Sequence, residues 1–460
     1  MERVIEMARF TPLRLSAFRT VVRSTDVQSV HGRQSMRADI LRSSSLFGFL
    51  IWVLLLIGVI STLSAPGMQE MVTWQRWMEL ALEIDPVFAF RTDPNAYPPG
   101  SVSLLYLSAE VFGISDQALT VKTLLLVASV GTSIATGFWL RSWPAAWLSL
   151  AVMGYVGVSL GLLDVLYLFP LTLALWALFK RRVALFSFFF ATAVMIKWQP
   201  AILAPILLVF LIREVLSATS RQLRIRLSAE ILLPGIAVVL VTVLVFGFSY
   251  MTESLTGATQ QSMWSGNALN INWLFSALTL GPIEGWGSVT YLYVEDVEGP
   301  LPVIMRWTFW IFYVALLVVV ARVRSLSFSR LMAALALGVL LYGLIAVGAH
   351  SNHMTLVFPI ALFLIFRVPE LRYQSTLLLA IPLVNIIWDM GLTGTRLRVP
   401  PVGPVDASIP IAVVIFTVGI VLTYSLLRFL LARDSDAVSM ATDFPRAVGV
   451  GRPEDPPGHE

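Results

Sequence analysis

Long apolar runs alternate with short polar segments along nearly the whole chain. They occupy 45–64, 118–140, 143–160, 162–179, 183–197, 199–212, 229–250, 301–321, 328–349, 352–367, 375–391 and 409–432. A membrane-spanning helix takes roughly 17–25 mostly apolar residues, so the pattern predicts an all-α polytopic membrane protein, a bundle of about 12 transmembrane helices. The hairpin 183–197/199–212 is the shortest pair. The run 101–113 is shorter still and carries Glu110, which predicts a helix that dips into the membrane without crossing. Before it, Met68–Leu82 puts Met71, Trp74, Met78 and Leu82 on one face at helical spacing, the pattern of a helix lying along the interface, with Trp74 and Trp77 as interface anchors.

Charge orients this bundle. Arg3, Arg9, Arg14, Arg19, Arg23, Arg33, Arg37 and Arg42 precede the first run, and such a density keeps that end in the cytoplasm. With the dipping helix not crossing, Arg141, Lys180-Arg181-Arg182, Arg213 to Arg226, Arg322, Arg324, Arg330, Arg367, Arg372 and Arg433 all fall on that same side. A crossing would invert them all, against the positive-inside rule. The expected organisation is a basic cytoplasmic segment 1–45, a membrane domain 46–432 with long outer loops at 65–117 and 251–300, and a polar, disordered cytoplasmic tail 433–460. The first run lacks a small-residue cleavage site and reads as a retained span, not a signal peptide.

Composition agrees: of 460 residues, 57% are hydrophobic and 13% charged, and the mean hydropathy is +0.80. The net charge of +4 is spread through loops as topology signals, so no nucleic-acid partner is expected. There is no cysteine, which removes disulfides, thiolate metal sites and a cysteine nucleophile. No Asn-x-Ser/Thr acceptor occurs, which favours a bacterial origin. No inverted repeat of the transporter kind is visible.

The unusual polar residues fall at the outer ends of the runs. Glu70 and Asp93 lie in the first outer loop, Asp164 opens the run 162–179, and Lys197-Trp198-Gln199-Pro200 forms an outer turn. Trp264, Asn267, Asn270, Asn272 and Trp273 lie in the second loop, followed by His350 and His353, then Arg396 and Arg398. Ionisable groups near a membrane tend to face a cavity or a partner, so an outward-facing polar cavity is the economical reading. Each residue also has a plainer one. Glu70 suits a solvated loop, Asp93 a turn before Pro94, Asp164 an N-cap, Lys197 a snorkelling position, and Asn270 and Asn272 a turn. His350 and His353, spaced i, i+3 without a carboxylate between them, make a weak metal site and suit a span boundary. Glu70 and Asp93 leave a divalent cation open.

The ordered set resembles a known family. Glu70 seven residues before Trp77, then Tyr97-Pro98-Pro99-Gly100, then Asp164 opening an apolar span, then Lys197-Trp198-Gln199-Pro200, is similar to the GT-C superfamily of polytopic glycosyltransferases. The bacterial mannosyltransferase-like members are the nearest in pattern. Gly266-Asn267-Ala268-Leu269-Asn270 through Trp273, and Gly348-Ala349-His350-Ser351-Asn352-His353, look like two later signatures, so the resemblance covers about residues 46 to 370. Two features depart from it: the family's first-loop acid is usually Asp, where this chain has Glu70, and Leu162-Leu163 replaces a frequent Gly-Gln before Asp164.

The resemblance implies transfer of a hexose, mannose or related, from a polyprenyl-phosphate donor to a glycan, lipid or protein acceptor on the outer face of a bacterial cell membrane, usually with inversion. No cofactor is implied. A carboxylate must take the proton of the attacking hydroxyl, which makes Glu70 the candidate base and Asp93 the second candidate catalytic acid. The leaving phosphate needs a cation, for which Lys197, Arg396 and Arg398 are the candidates. Tyr97, Trp264 and Trp273 suit stacking on sugar faces. Asp164, Gln199, Asn267, Asn270, His350 and His353 complete the candidate substrate-binding set. Two other readings stay open: a transporter or flippase of a lipid-linked sugar, and a non-catalytic membrane assembly subunit. Neither the oligomeric state nor the sugar follows from the sequence.

Overall fold

The computed structural model describes residues 46–432, apart from 69, 93–96, 114–115, 260–262, 266–267, 281–291, 294–298, 393 and 395–406. The segments 1–45 and 433–460, and the candidate residues Asp93, Asn267, Arg396 and Arg398, lie outside the described residues. Two compact units divide the chain, Met1–Val53 and Leu54–Glu460. Of the first, 46–53 is described, as helix. The second unit holds the bundle and every candidate site residue.

The described chain is helical except for a two-strand antiparallel ribbon, β1 (Met263–Ser265) with β2 (Leu292–Tyr293). The first apolar helix, α1, is Leu46–Ser61. The outer loop then forms α2 (Met71–Ile84), α3 (Pro86–Thr92) and α4 (Pro99–Phe112). At 14 residues, α4 is roughly 21 Å long at about 1.5 Å per residue, short of a hydrocarbon core of about 30 Å. The bundle continues with α5 (Gln117–Leu140), α6 (Trp143–Met153) running into a π-helical stretch Gly154–Ser159, α7 (Asp164–Phe179) and α8 (Val183–Ile196). A 3₁₀ turn, Gln199–Leu203, leads into α9 (Ala204–Ser217), and α10 (Arg221–Phe246) and α11 (Phe248–Thr259) come next. After the ribbon and α12 (Ile271–Leu280) come α13 (Leu301–Arg322) and α14 (Phe328–Ile345). A 3₁₀ turn, His353–Val357, opens α15 (Phe358–Arg367), and α16 (Arg372–Met390) and α17 (Ser408–Leu431) close the described chain.

Among the described residues, seven helices are long and apolar enough to cross a membrane: Gln117–Leu140, Gln199–Ser217, Arg221–Phe246, Leu301–Arg322, Phe328–Ile345, Pro369–Met390 and Ser408–Leu431. That is the signature of a multi-pass integral membrane protein. Five more apolar helices are shorter, Leu46–Ser61, Trp143–Ser159, Asp164–Phe179, Val183–Ile196 and His353–Arg367, so helix length by itself supports seven crossings where the apolar runs predict about 12. Burial separates the inner helices from the lipid-facing ones. In α14, Leu331 to Leu337 are all at most 1% exposed, whereas α10 presents Leu232, Leu233, Ile236, Leu240, Val241 and Leu244 outward, as a helix solvated by lipid can.

Arginines of the loops around 181, 213 and 330 meet at one end of the bundle. The Arg213 guanidinium donates to the carbonyls of Val320 at 3.2 Å and Arg324 at 2.8 Å. Arg330 donates to Ser325 O at 2.7 Å and to the carbonyl of Ala432, and Arg181 lies 3.9 Å from Glu214. These contacts close the C-terminal ends of α9, α13 and α17 and the N-terminal end of α14 with bonds the lipid cannot supply. The α7–α8 hairpin loop joins them through Arg181. The other ends of α7, α8 and α14 meet far from them, around Asp164, Lys197 and His353.

α2 differs from the interfacial helix that the sequence predicts. Its buried face is Met71, Trp74, Trp77, Met78 and Ala81, while Leu82 is exposed. Trp74 and Trp77 are therefore packed inside the protein, against each other's rings.

Candidate active site

Asp164 is the first residue of α7 and caps nothing: no side-chain bond satisfies that helix terminus. Its carboxylate is instead fully engaged. Oδ2 accepts from the Lys197 ammonium at 2.8 Å and from Asn352 Nδ2 at 3.0 Å, and Oδ1 accepts from the Thr355 hydroxyl at 3.2 Å. Because Thr355 spends its proton on Asp164, the Tyr167 hydroxyl, 3.0 Å away, is the donor to Thr355. Side-chain exposures of 3% for Lys197 and 1% for Asp164 make this a buried ion pair.

Lys197 terminates α8 in extended backbone, which breaks the helix where the pair forms. Burial by itself would drive the proton off the ammonium; the Asp164 charge, with Tyr97, more than reverses this and holds the pKa above the ordinary lysine value. The ammonium lies 5.0 Å from the centroid of the Tyr97 ring, so Tyr97 covers it. Tyr97 in turn stands edge-on to Trp74 and Trp77, each at a centroid distance of 5.4 Å, and the two indoles are 5.0 Å apart. Burial, outweighing the nearby Lys197 charge, pushes the Tyr97 hydroxyl up to about 12. A further chain holds its backbone: Trp198 Nε1 donates to the Ser254 hydroxyl at 3.1 Å, and Ser254 donates to the Tyr97 carbonyl at 2.7 Å.

The motif Tyr97-Pro98-Pro99-Gly100 is explained by the same contact. Pro98 flanks α4 and Pro99 opens it, as a missing N–H permits. Gly100 then lies so close to α8 that a Cβ there would stand 2.4 Å from the Met195 carbonyl oxygen. Ser101 donates to the Ile196 carbonyl. The motif thus docks α4 on the end of α8, next to Lys197.

Glu70 stands immediately before α2 in helical backbone, partly exposed. Enclosure by protein pushes its carboxyl up to about 7; the Lys197 charge pulls it down less strongly, and Asp164 and Asp389 push it up further. Glu70, Lys197, Asp164 and Asp389 thus share one electrostatic site. Asp389, near the end of α16, accepts from the Ser351 hydroxyl at 2.7 Å. Alongside, the His350 and His353 rings lie 4.6 Å apart. His353 Nδ1 accepts from the His350 backbone N–H at 3.2 Å and faces the Tyr342 hydroxyl at 2.9 Å. Nδ1 therefore carries no proton, and the ring's N–H is Nε2. Burial, then the Lys197 charge, lowers His350 to about 4, which keeps it neutral at pH 7. Among the described residues no three His, Cys, Asp or Glu side chains gather as a metal site.

The structure therefore brings together Glu70, Tyr97, Asp164, Lys197, His350 and His353. Trp264, Asn270 and Trp273 are engaged differently. The Asn270 side chain accepts from the N–H groups of Asn272 and Trp273 at 3.0 and 3.1 Å, the turn role that Asn suits. Trp264 has no exposed surface, and its indole donates to Asn272 O at 2.9 Å; the Trp273 indole donates to Ser408 Oγ at 2.9 Å. Neither ring has an open face. This loop is nonetheless a neighbour of the site, since Gly348 N–H donates to Trp264 O at 3.2 Å. Gln199, two residues on from Lys197, has a buried Oε1 with no hydrogen-bond partner. Asn352, Thr355, Tyr167, Tyr342 and Asp389 also belong to the cluster; Asn352 lies within the signature Gly348 to His353 without being singled out, and no motif in the sequence marks the other four for this role. For Asn352 and Thr355 the one signal is their place within two residues of His350 or His353.

A scan against protein-family models finds no match, and a search of curated proteins finds none either.

Proposed function

We propose that the chain is a polytopic glycosyltransferase that moves a hexose from a polyprenyl-phosphate donor to a hydroxyl acceptor, with Glu70 as the base. The observation that carries this reading is a partly exposed carboxyl, poised near pH 7, beside a buried Lys197–Asp164 pair at the end of the bundle opposite the basic loops. A base works best with a pKa near the working pH. The acceptor hydroxyl attacks the anomeric carbon and Glu70 takes its proton. The bond from that carbon to the phosphate oxygen breaks, and its electron pair leaves with the polyprenyl phosphate. A single displacement of this kind inverts the anomeric centre. The leaving group is anionic already, so it calls for a positive charge and no acid. Lys197 is the cation with a resolved effect on Glu70, and its ammonium lies under the Tyr97 ring at the same site. Arg396 and Arg398 are assigned the same role on sequence grounds.

In this reading all twelve apolar helices cross, and both termini are cytoplasmic, so the site faces outward from a bacterial cell membrane. The polyprenyl chain lies among the helices. The Asn272 side chain holds the second loop on the end of α14 and the Trp273 indole holds it on the start of α17, which leaves sugar stacking to Tyr97.

The test is sugar transfer in vesicles carrying the protein, over a panel of polyprenyl-phosphate sugars, with wild type and Glu70→Gln side by side. Wild type transfers sugar, and kcat/KM rises with pH through about 7, because Glu70 must be ionised to accept the proton. Glu70→Gln loses roughly 100-fold or more, the usual worth of a general base, and still binds donor. Undiminished turnover in folded Glu70→Gln would sink the base assignment, and no transfer of any sugar by folded wild type would sink the reaction class.

A further inference from the structure

Lys122 lies in the second turn of α5, inside one of the seven long apolar helices, and is 1% exposed. Its ammonium donates to the carbonyl of Ala65. Among the described residues no other hydrogen bond and no carboxylate partner is present for it. A buried ammonium whose partner is a neutral carbonyl is costly, so its presence calls for a role other than stability. The turn offers it a carbonyl oxygen, which attracts a cation and repels an anion, and this argues against a phosphate site here.

The turn that Lys122 holds leads directly into Glu70. Met68 N–H donates to Leu160 O at 2.8 Å, and the Trp74 indole donates to Gly161 O at 3.1 Å. Gly161 has φ +81°, and a Cβ there would stand 2.2 Å from Met71 Sδ, so this turn packs closely on the start of α2. Leu160–Gly161 comes directly after the π-helical stretch, a feature found mostly at functional sites, and Gly161 precedes Asp164 by three residues. The Glu70 turn is thus tied on one side to the segment that carries Asp164 and on the other to Lys122.

We infer that Lys122 is a positioning residue for Glu70, its ammonium pinning the Ala65 carbonyl and with it the turn that carries Glu70 against the Leu160–Gly161 turn. The inference rests on Glu70 being the base, but the tether itself is testable without any reaction. The chain has no cysteine, so Thr73→Cys, on the exposed side of the first turn of α2, takes a single spin label. In an otherwise wild-type protein the label reports a rigid turn. Lys122→Met removes charge and donor at similar volume: the label becomes more mobile, the unfolding temperature stays level or rises, and turnover falls roughly 10- to 100-fold, as for a reacting group displaced by about 1 Å. Donor KM is unchanged. Lys122→Gln, which keeps a donor for Ala65, restores part of the rigidity. Unchanged label mobility in Lys122→Met overturns the inference, whether or not activity is lost. Loss of folding in Lys122→Met overturns it too, because Lys122 would then be a stabilising contact. If wild type transfers no sugar, the label still decides whether the tether exists.

Discussion

Asp164 and Lys197 are worth more as a pair than either is separately. Each is buried, and the carboxylate's remaining acceptor sites are filled by Asn352 and Thr355. Removing one partner leaves the other charge in the interior with nothing opposite, which costs about 3–5 kcal/mol. Asp164→Asn and Lys197→Met should therefore each lower the unfolding temperature in detergent markedly, and the double variant should recover most of the loss, as replaced buried pairs commonly do. Additive losses in the double variant would show that the two do not act as a pair. At this scale the sequence points to Asp164 and Lys197 as costly residues at run ends, but not to each other, since 33 positions separate them. Still less does it reveal Tyr167 and Thr355, which are 188 positions apart and look like ordinary polar residues on apolar helices. Trp74 and Trp77 illustrate the opposite difficulty: amphipathic spacing locates a buried face, but it does not say whether lipid or protein covers that face.

Among elements, the apolar runs are legible to within a few residues: 118–140 is α5, Gln117–Leu140, and 409–432 is α17, Ser408–Leu431. Helix length is less so. The run 143–160 splits into α-helix and π-helix at Gly154, and the run 229–250 covers the later part of α10, which begins at Arg221 and ends at Phe246, and the first residues of α11 beyond Gly247. The short helices make sense together. α7 begins at Asp164, α8 ends at Ile196 and the 3₁₀ turn of α15 begins at His353, so three elements stop where the buried polar cluster needs their ends. α4 is locked onto one of them through Gly100. Gly100→Ala would drive a methyl group into the Met195 carbonyl, 2.4 Å from the added Cβ, and backbone cannot yield as a side chain does. We expect a loss of about 1–3 kcal/mol, typical of overpacking, seen as a lower unfolding temperature. Because Tyr97 shifts with α4, turnover should fall as well. Wild-type stability in Gly100→Ala would mean that the two helices are not in register as described.

For the molecule as a whole, sidedness is the quantity that charge and structure address jointly. The Arg213, Arg330 and Arg181 contacts collect basic groups at one end, while Glu70, Asp164, Lys197 and His353 occupy the other. Moving an arginine across a bilayer is costly, so loops rich in arginine stay in the cytoplasm, and in the proposed arrangement the polar cluster opens on the opposite side. The proposal requires the five short apolar helices to cross as well, because the side of each basic loop is set by the number of crossings before it. A cysteine-free chain allows a direct check with single cysteines. Thr73→Cys, on the exposed side of α2, and Thr219→Cys, in the exposed connection between α9 and α10, sit at opposite ends of the molecule. In intact cells a membrane-impermeant maleimide should label Thr73→Cys, whereas Thr219→Cys should react only after the membrane is permeabilised. The reverse pattern would place the Glu70 cluster in the cytoplasm, and the donor would then have to be presented from the inner leaflet. Labelling of both positions in intact cells would mean an even number of crossings between residues 73 and 219. Either one of the short helices α6, α7 and α8 would then not span, or α4 would cross.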